Sequence, residues 1–267
     1  MKPDLGDSGD PWSAGYGKRN PGAIAAVEPS DHRGYARVTE STPAPASAGD
    51  AAVNGDLGTI PAGLAAQFPA AAAQLEVYAR SLATDGVVRG LLGPREVPRI
   101  WDRHIANCAA IEQLIPYGAT VIDIGSGAGL PGLVLAIVRP DVTVTLVEPL
   151  LRRTTFLGEV VEALKLGGRV EVLRGRAQEF HGRLRADVVT ARAVAALAGL
   201  VQWSWSLVAA GGSIVAMKGE TATAEVEDAR PVFQRLGIAD SQVQVVPCAS
   251  TTGTATAVVI SHPHAPR

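Results

Sequence analysis

From residue 117 onward the chain alternates between two hydrophobic periods. Short runs rich in β-branched residues, "ATVIDIG", "VTVTLVE", "RVEVLRG", "ADVVTAR" and "GSIVAMKG", have the pattern of buried strands. Between them lie longer runs of helical character, "LPGLVLAIVR", "LLRRTTFLGEVVEALKL" and "VAALAGLVQWSWSLV". In the second of these, Phe156, Leu157, Val160, Val161 and Leu164 share one face, and Gly167 is a natural stop. Strand and helix in this alternation predict a parallel sheet covered on both faces. "QVQVVPC" and "TATAVVIS" predict a closing hairpin, which brings the mostly parallel sheet to seven strands. Upstream, residues 60–115 read as helices, with Ile100, His104, Cys108 and Ile111 recurring at helical spacing in "VPRIWDRHIANCAAIEQLI". There is no internal repeat. The chain thus divides into residues 59–116, a helical N-terminal extension, and 117–262, an α/β core.

Composition sets the first 58 residues apart. They hold six Pro, nine Gly and five Ser with no apolar periodicity, and such a segment cannot bury enough surface to offset its ordering entropy. Residues 1–58 are therefore expected to be a disordered tail. Its longest apolar run, Ala23 to Val27, is too short for a signal peptide. The tail carries five Lys/Arg and eight Asp/Glu, which leaves 19 and 18 in the remainder and argues against a broad nucleic-acid-coating surface. The basic residues of the body are nevertheless bunched and nearly all Arg, as at Arg89, Arg95, Arg99 and Arg103 or at Arg152 and Arg153. Two cysteines, Cys108 and Cys248, share no motif, which predicts free thiols and a cytoplasmic protein. The 25 uncharged residues from Ala193 to Met217 are long enough to span a bilayer, but Gln202, Ser204, Ser206 and the Gly211-Gly212 pair interrupt them. A buried helix, a Gly-Gly turn and a strand explain this stretch without a membrane.

Candidate chemistry centres on "VIDIGSGAGLPG". In an open parallel sheet, ligands sit beyond the carboxyl ends of the strands where strand order reverses. The loop leaves the first strand and enters a helix at about Pro131. Gly125, Gly127 and Gly129 permit a tight turn and close approach of backbone to a ligand. The second strand ends in Glu148, a carboxylate placed to accept hydrogen bonds from the hydroxyls of a ribose. A dinucleotide fingerprint wants a third glycine at position 130, which is Leu here. The G-x-G-x-G spacing preceded by Asp123 suits S-adenosylmethionine, which has no phosphates.

These residues carry a resemblance. "IDIGSGAGLPGLVLAIVRPD", "GRAQEF", "ARAVAAL" and "AMKG", with "RIWDRHIANC" upstream, resemble the glucose-inhibited division protein B family, the RsmG-type methyltransferases of small-subunit ribosomal RNA. The resemblance covers roughly residues 60 to 262, and G-x-G-x-G-L-P-G is its specific part. It implies a Rossmann-like methyltransferase fold, S-adenosylmethionine as methyl donor, and transfer to N7 of one guanine in small-subunit rRNA. The family's cofactor contacts fall on Gly125, Leu130, the pair Ala177-Gln178, and Arg192. The second member of that pair is commonly Glu in the family and is Gln178 here.

The residues agree with that acceptor. No Asn/Asp-Pro-Pro-aromatic box follows the fourth strand, as methylation of an exocyclic amine requires. Cys248, the one cysteine after a proline, belongs to the far edge of the sheet rather than to a nucleophile's position. Guanine N7 has an unshared pair and no proton, so it needs no general base, and catalysis reduces to positioning. Arg192, at the end of the fourth strand, is the catalytic candidate, able to meet the guanine O6/N7 edge or the cofactor carboxylate. His104 reads as a packed core histidine. His262 and His264 lack the further ligands a metal needs. A small-molecule methyltransferase of the same fold and a cofactor-binding module without catalysis remain open alternatives.

Overall fold

The structure, a computed structural model, describes residues 56–264. The expected tail, residues 1–58, lies outside the described residues except for its last three. Of these, Leu57 packs against the core and the Gly58 carbonyl accepts from Trp101 Nε1 at 3.4 Å.

Seven strands form one sheet in the order β3-β2-β1-β4-β5-β7-β6. They are β1 (Thr120–Ile124), β2 (Thr143–Glu148), β3 (Val170–Arg174), β4 (Ala186–Arg192), β5 (Val208–Lys218), β6 (Val243–Ser250) and β7 (Gly253–Ser261). The first five run parallel, and β7 is antiparallel to both β5 and β6, so the closing hairpin is present as expected. Strand order reverses between β1 and β4, which pair at Val121↔Val188.

The alternation of apolar residues along each strand sorts them into two cores. Val121, Val144, Leu146, Val188 and Val215 face one cluster, with the N-terminal helices α1 (Ala62–Gln67), α2 (Ala72–Ser81) and α3 (Asn107–Ala110), together with α4 (Gly132–Val138) and α5 (Leu151–Ala163). Their neighbours Ile122, Val147, Val189, Ile214 and Ala216 face the other, with α6 (Leu197–Ser204) and α7 (Ala222–Leu236). Each is a period-two strand buried on both faces. Helix α4 is buried at every residue because the N-terminal helices cover its outer side, which is why "GLVLAIV" has no polar face. On α5, the expected face of Phe156, Leu157, Val160 and Val161 is buried, and the helix stops at Ala163, where Lys165 rather than Gly167 takes up the left-handed conformation.

Two expectations change, and one helix is new. Gly211-Gly212 is not a turn before a strand: β5 begins at Val208 and runs through it. Pairing jumps from Ala186↔Val208 to Val188↔Ser213, so the glycines form a bulge, and a side chain at Gly212 would collide with the Asp187 carbonyl. The segment from Pro94 to Leu114 is helical but not uniform. A tight 3-10 stretch holding Pro98 (Pro94–Arg99) gives way to a wide π stretch (Ile100–Ala106), then to α3 and a second tight turn. Helix α7 was not foreseen, because Pro231 inside it reads as a break. Pro231 is exposed, where water can satisfy the carbonyl it frees, and Gly237 caps the helix at φ +70°.

Candidate active site

The loop 125–131 lies at the carboxyl end of β1, at the reversal of strand order. Gly125 (φ +63°) and Gly127 (φ +58°) adopt conformations that other residues resist. A Cβ on Gly125 would also sit 2.8 Å from Val194 Cγ2. The loop is tied down from both sides. Gly125 N donates to the Val147 carbonyl at 2.8 Å, and the Tyr78 hydroxyl from α2 donates to the Ala128 carbonyl at 2.8 Å. Beneath it Asp123 is fully buried, accepting from Thr190 Oγ1 (2.9 Å) and Gly132 N (3.2 Å). Burial outweighs these hydrogen bonds and raises the Asp123 carboxyl to about 7.

Glu148 closes β2 as a buried carboxylate, 1% exposed, not as a solvated strand end. It accepts from Gly127 N and Leu150 N, both at 3.0 Å, and stands 3.5 Å from Arg153 Nη1. It lines a cavity of about 390 Å³ together with Gly125, Arg153, Ala177, Gln178 and Trp203. Four of the predicted cofactor residues, Gly125, Glu148, Ala177 and Gln178, therefore share one wall. Gly127 reaches that wall only through its bond to Glu148. Leu130 is half-buried against the first core cluster and does not line the cavity, and neither does Arg192. Sequence reasoning did not single out Arg153 or Trp203 as cavity residues. Arg153 follows Glu148 by five residues on α5, but Trp203 arrives from α6 with no local signal.

Arg192 instead lines a second cavity of about 630 Å³, with Arg103, Asn107, Lys218, Glu220 and Thr256 among its neighbours. Ala193 and Val194 line both cavities, so the turn after β4 is the wall they share. Ala193 holds φ +54°, unusual for a residue with a Cβ. The turn is clamped from β5 and α7. Lys218 Nζ donates to the Ala195 carbonyl (2.8 Å) and to Glu225 Oε2 (2.7 Å), which also accepts from Leu197 N (3.0 Å). Burial works to raise the Glu225 carboxyl, and these bonds more than offset it, leaving it below its ordinary value.

Arg192 is tethered to the helical segment upstream of β1. Nη1 donates to Cys108 Sγ (3.3 Å), and Nη2 to the Arg103 carbonyl (3.2 Å) and to His104 Nδ1 (2.7 Å). His104 Nε2 meets Glu96 Oε2 at 2.9 Å. His104 is packed, as expected, but both ring nitrogens have polar partners. Burial, then the positive Arg192, lower its pKa to about 4. Burial pushes the Cys108 thiol up, so it stays protonated.

The remaining candidates lie apart. Cys248 is buried on the edge strand β6 and lines neither cavity. His262 stacks on Trp205 with ring centroids 4.6 Å apart. Among the described residues no group of three His, Cys, Asp or Glu could hold a metal ion, and no helix is long and apolar enough to cross a membrane.

Comparison with known proteins follows the same lines. The GidB family, described as rRNA small subunit methyltransferase G, matches residues 71–251. A ribosomal RNA small subunit methyltransferase G from Thermobifida fusca is 63% identical over 165 residues, spanning 61% of this chain and 69% of that protein. One from Mycolicibacterium paratuberculosis is 51% identical over 209 residues, spanning 77% and 83%. Among solved structures, an O-methyltransferase family protein from Burkholderia thailandensis superposes with a TM-score of 0.50 at 16% identity, covering 69% of this chain and 62% of that one. That likeness speaks for the Rossmann-like fold alone. With the match covering the glycine loop, both cavities' shared wall and strands β1 to β6, the chain belongs to the GidB family of rRNA small subunit methyltransferases G.

Proposed function

We propose that this chain transfers the methyl group of S-adenosylmethionine to N7 of a guanine in small-subunit ribosomal RNA, acting in the cytoplasm. The observation that carries the reading is the pair of cavities meeting at Ala193-Val194. One is lined by the glycine loop and a buried carboxylate, the other by Arg192.

The first cavity suits the cofactor. Its volume lies in the usual ligand range, and a Cβ on Gly125 would disturb its wall. Glu148 accepts from Gly127 N, from Leu150 N and, at 3.5 Å, from Arg153 Nη1; a carboxylate has about four acceptor sites, which leaves one, on Oε1, for a ribose hydroxyl. Gln178 would face the adenine, its amide supplying both a donor and an acceptor. When bound, S-adenosylmethionine supplies a methyl group on a sulfonium, electrophilic without further activation. Leu130 and Gly127 support this arrangement from behind the wall.

The chain's own residues then have to place an acceptor. Arg192 lines the second cavity; its Nη2 is spent on the Arg103 carbonyl and His104, so its remaining N–H groups are the ones that can meet guanine O6, which leaves the N7 lone pair free to attack. N7 attacks with its own lone pair, so no side chain must accept a proton in that step. Lys218 and Glu225 hold the shared wall still, which keeps donor carbon and acceptor nitrogen in line. The test is to supply small-subunit RNA from a strain lacking the enzyme with radiolabelled cofactor, then map N7-methylguanine by chemical cleavage. Label at one guanine N7 is expected. Label at another atom, or only in small molecules, would overturn the reading.

A further inference from the structure

Arg192 has no acceptor atoms, so its 2.7 Å contact with His104 requires a bare lone pair on Nδ1. The ring proton must then sit on Nε2, which points at Glu96 Oε2, 2.9 Å away. The opposite tautomer would set Nδ1–H against a guanidinium N–H and leave the lone pair of Nε2 facing a carboxylate, unfavourable at both ends. Glu96 is itself kept ionised: its other oxygen lies 3.4 Å from Arg103 Nη1 and 3.9 Å from Arg99 Nη1. We propose that Glu96 and His104 form a positioning relay, in which Glu96 fixes the His104 tautomer and His104 orients the Arg192 guanidinium toward the methyl acceptor. The inference rests on the reading of Arg192 as facing the guanine.

The surroundings fit this role. The groups around the ring are Arg192 from β4 and Glu96, Arg103 and Cys108 from the helical segment before β1. Two positive groups and burial hold the ring neutral, so its Nδ1 stays an acceptor throughout the neutral range. The ring and the Arg103 carbonyl both lie in the wide-turn stretch Ile100–Ala106, where the usual helical ladder is relaxed. The relay also explains what the conspicuous "RIWDRHIANC" does: it reaches across 88 residues of sequence to hold the residue at the end of β4.

The relay makes a spectroscopic prediction about the wild-type ring. Nitrogen-15 NMR of histidine-labelled full-length protein, with His104 assigned by its loss in His104→Asn, should show Nε2 protonated and Nδ1 bare from about pH 5.5 to 8. A proton on Nδ1, or a charged ring, at pH 7 would overturn the relay. Kinetics supply the second arm. His104→Phe keeps the packing but removes the acceptor, and should slow single-turnover methyl transfer about tenfold or more while cofactor affinity stays within about twofold. His104→Asn places a carbonyl oxygen near the former Nδ1 and should recover the rate to within about threefold of wild type. Equal loss in both variants, or loss confined to cofactor affinity, would contradict the relay while the wild-type rate still supports the function. A wild type that moves no methyl to RNA would overturn the functional reading and the relay together.

Discussion

On the proposed reading, Glu148 serves the cofactor cavity and Arg192 the acceptor cavity, and substitutions should separate them. Glu148→Gln keeps the shape but leaves one carbonyl oxygen to meet the N–H groups of both Gly127 and Leu150, with the new amide facing donors. Loss of charge-assisted bonds of roughly 1.5–3 kcal/mol should weaken S-adenosylmethionine binding about tenfold or more by calorimetry, along with a lower Tm. Unchanged affinity would remove Glu148 from the cofactor's contacts. At Arg192, Lys preserves charge but not the planar guanidinium, whose Nη1 reaches Cys108 while Nη2 holds the Arg103 carbonyl and His104. Arg192→Lys should slow methyl transfer by about tenfold, and Arg192→Ala by more, with little change in cofactor affinity. A defect appearing in cofactor affinity alone would place Arg192 on the cofactor rather than on the acceptor.

Among elements, the junction between the N-terminal helices and the sheet turns on Arg139, just past α4. Nη1 donates to the carbonyls of Glu112 (3.0 Å) and Ile115 (2.9 Å), Nη2 to that of Pro116 (3.2 Å), and the guanidinium is paired with Asp141 at 2.7 Å. Hydrogen bonding by Arg139 holds the Asp141 carboxyl at about 2. Arg139→Met would leave these acceptors unpaired and should destabilise the fold by roughly 3 kcal/mol or more in urea denaturation. A loss under about 0.5 kcal/mol would mean that water replaces the guanidinium freely. How much of this was legible from the sequence varies by cause. The strands were readable because short runs of β-branched residues are apolar on both faces, and α5 because one of its faces is apolar at the helical period. The glycine loop was readable because its residue types have a single physical use. Helix α7 was hidden by Pro231 and a largely polar outer face, and the bulge at Gly211-Gly212 by the fact that turns and bulges use the same residue. The link from Glu96 through His104 to Arg192 has no sequence period at all, since its members are eight and 88 residues apart and only packing of the helical segment on β4 joins them.

For the molecule as a whole, two buried groups tie stability to pH in opposite senses. Asp123 has its folded pKa raised to about 7, against about 4 in an unfolded chain. The folded state therefore binds the proton more tightly through this window, and the stability it contributes is full below about pH 4 and is lost as pH rises toward 7. His104, lowered to about 4, contributes stability above its ordinary value of 6.5 that is lost as pH falls toward 4. Comparing Asp123→Asn with wild type isolates the first effect. The fall in Tm between pH 5 and 7.5 should be shallower in the variant, and parallel curves would show that Asp123 is ionised throughout. Neither group takes part in methyl transfer itself. The central claim is that an RNA nitrogen attacks with its own lone pair while the protein only positions it. The most direct measurement of that claim is the single-turnover rate of methyl transfer into small-subunit RNA, at saturating cofactor, from about pH 6 to 9. A proton-free attack steered by a permanently charged Arg192 and a neutral His104 predicts a nearly flat profile with the label at guanine N7. A rate that climbs about tenfold per pH unit through neutrality would require a general base and contradict the account.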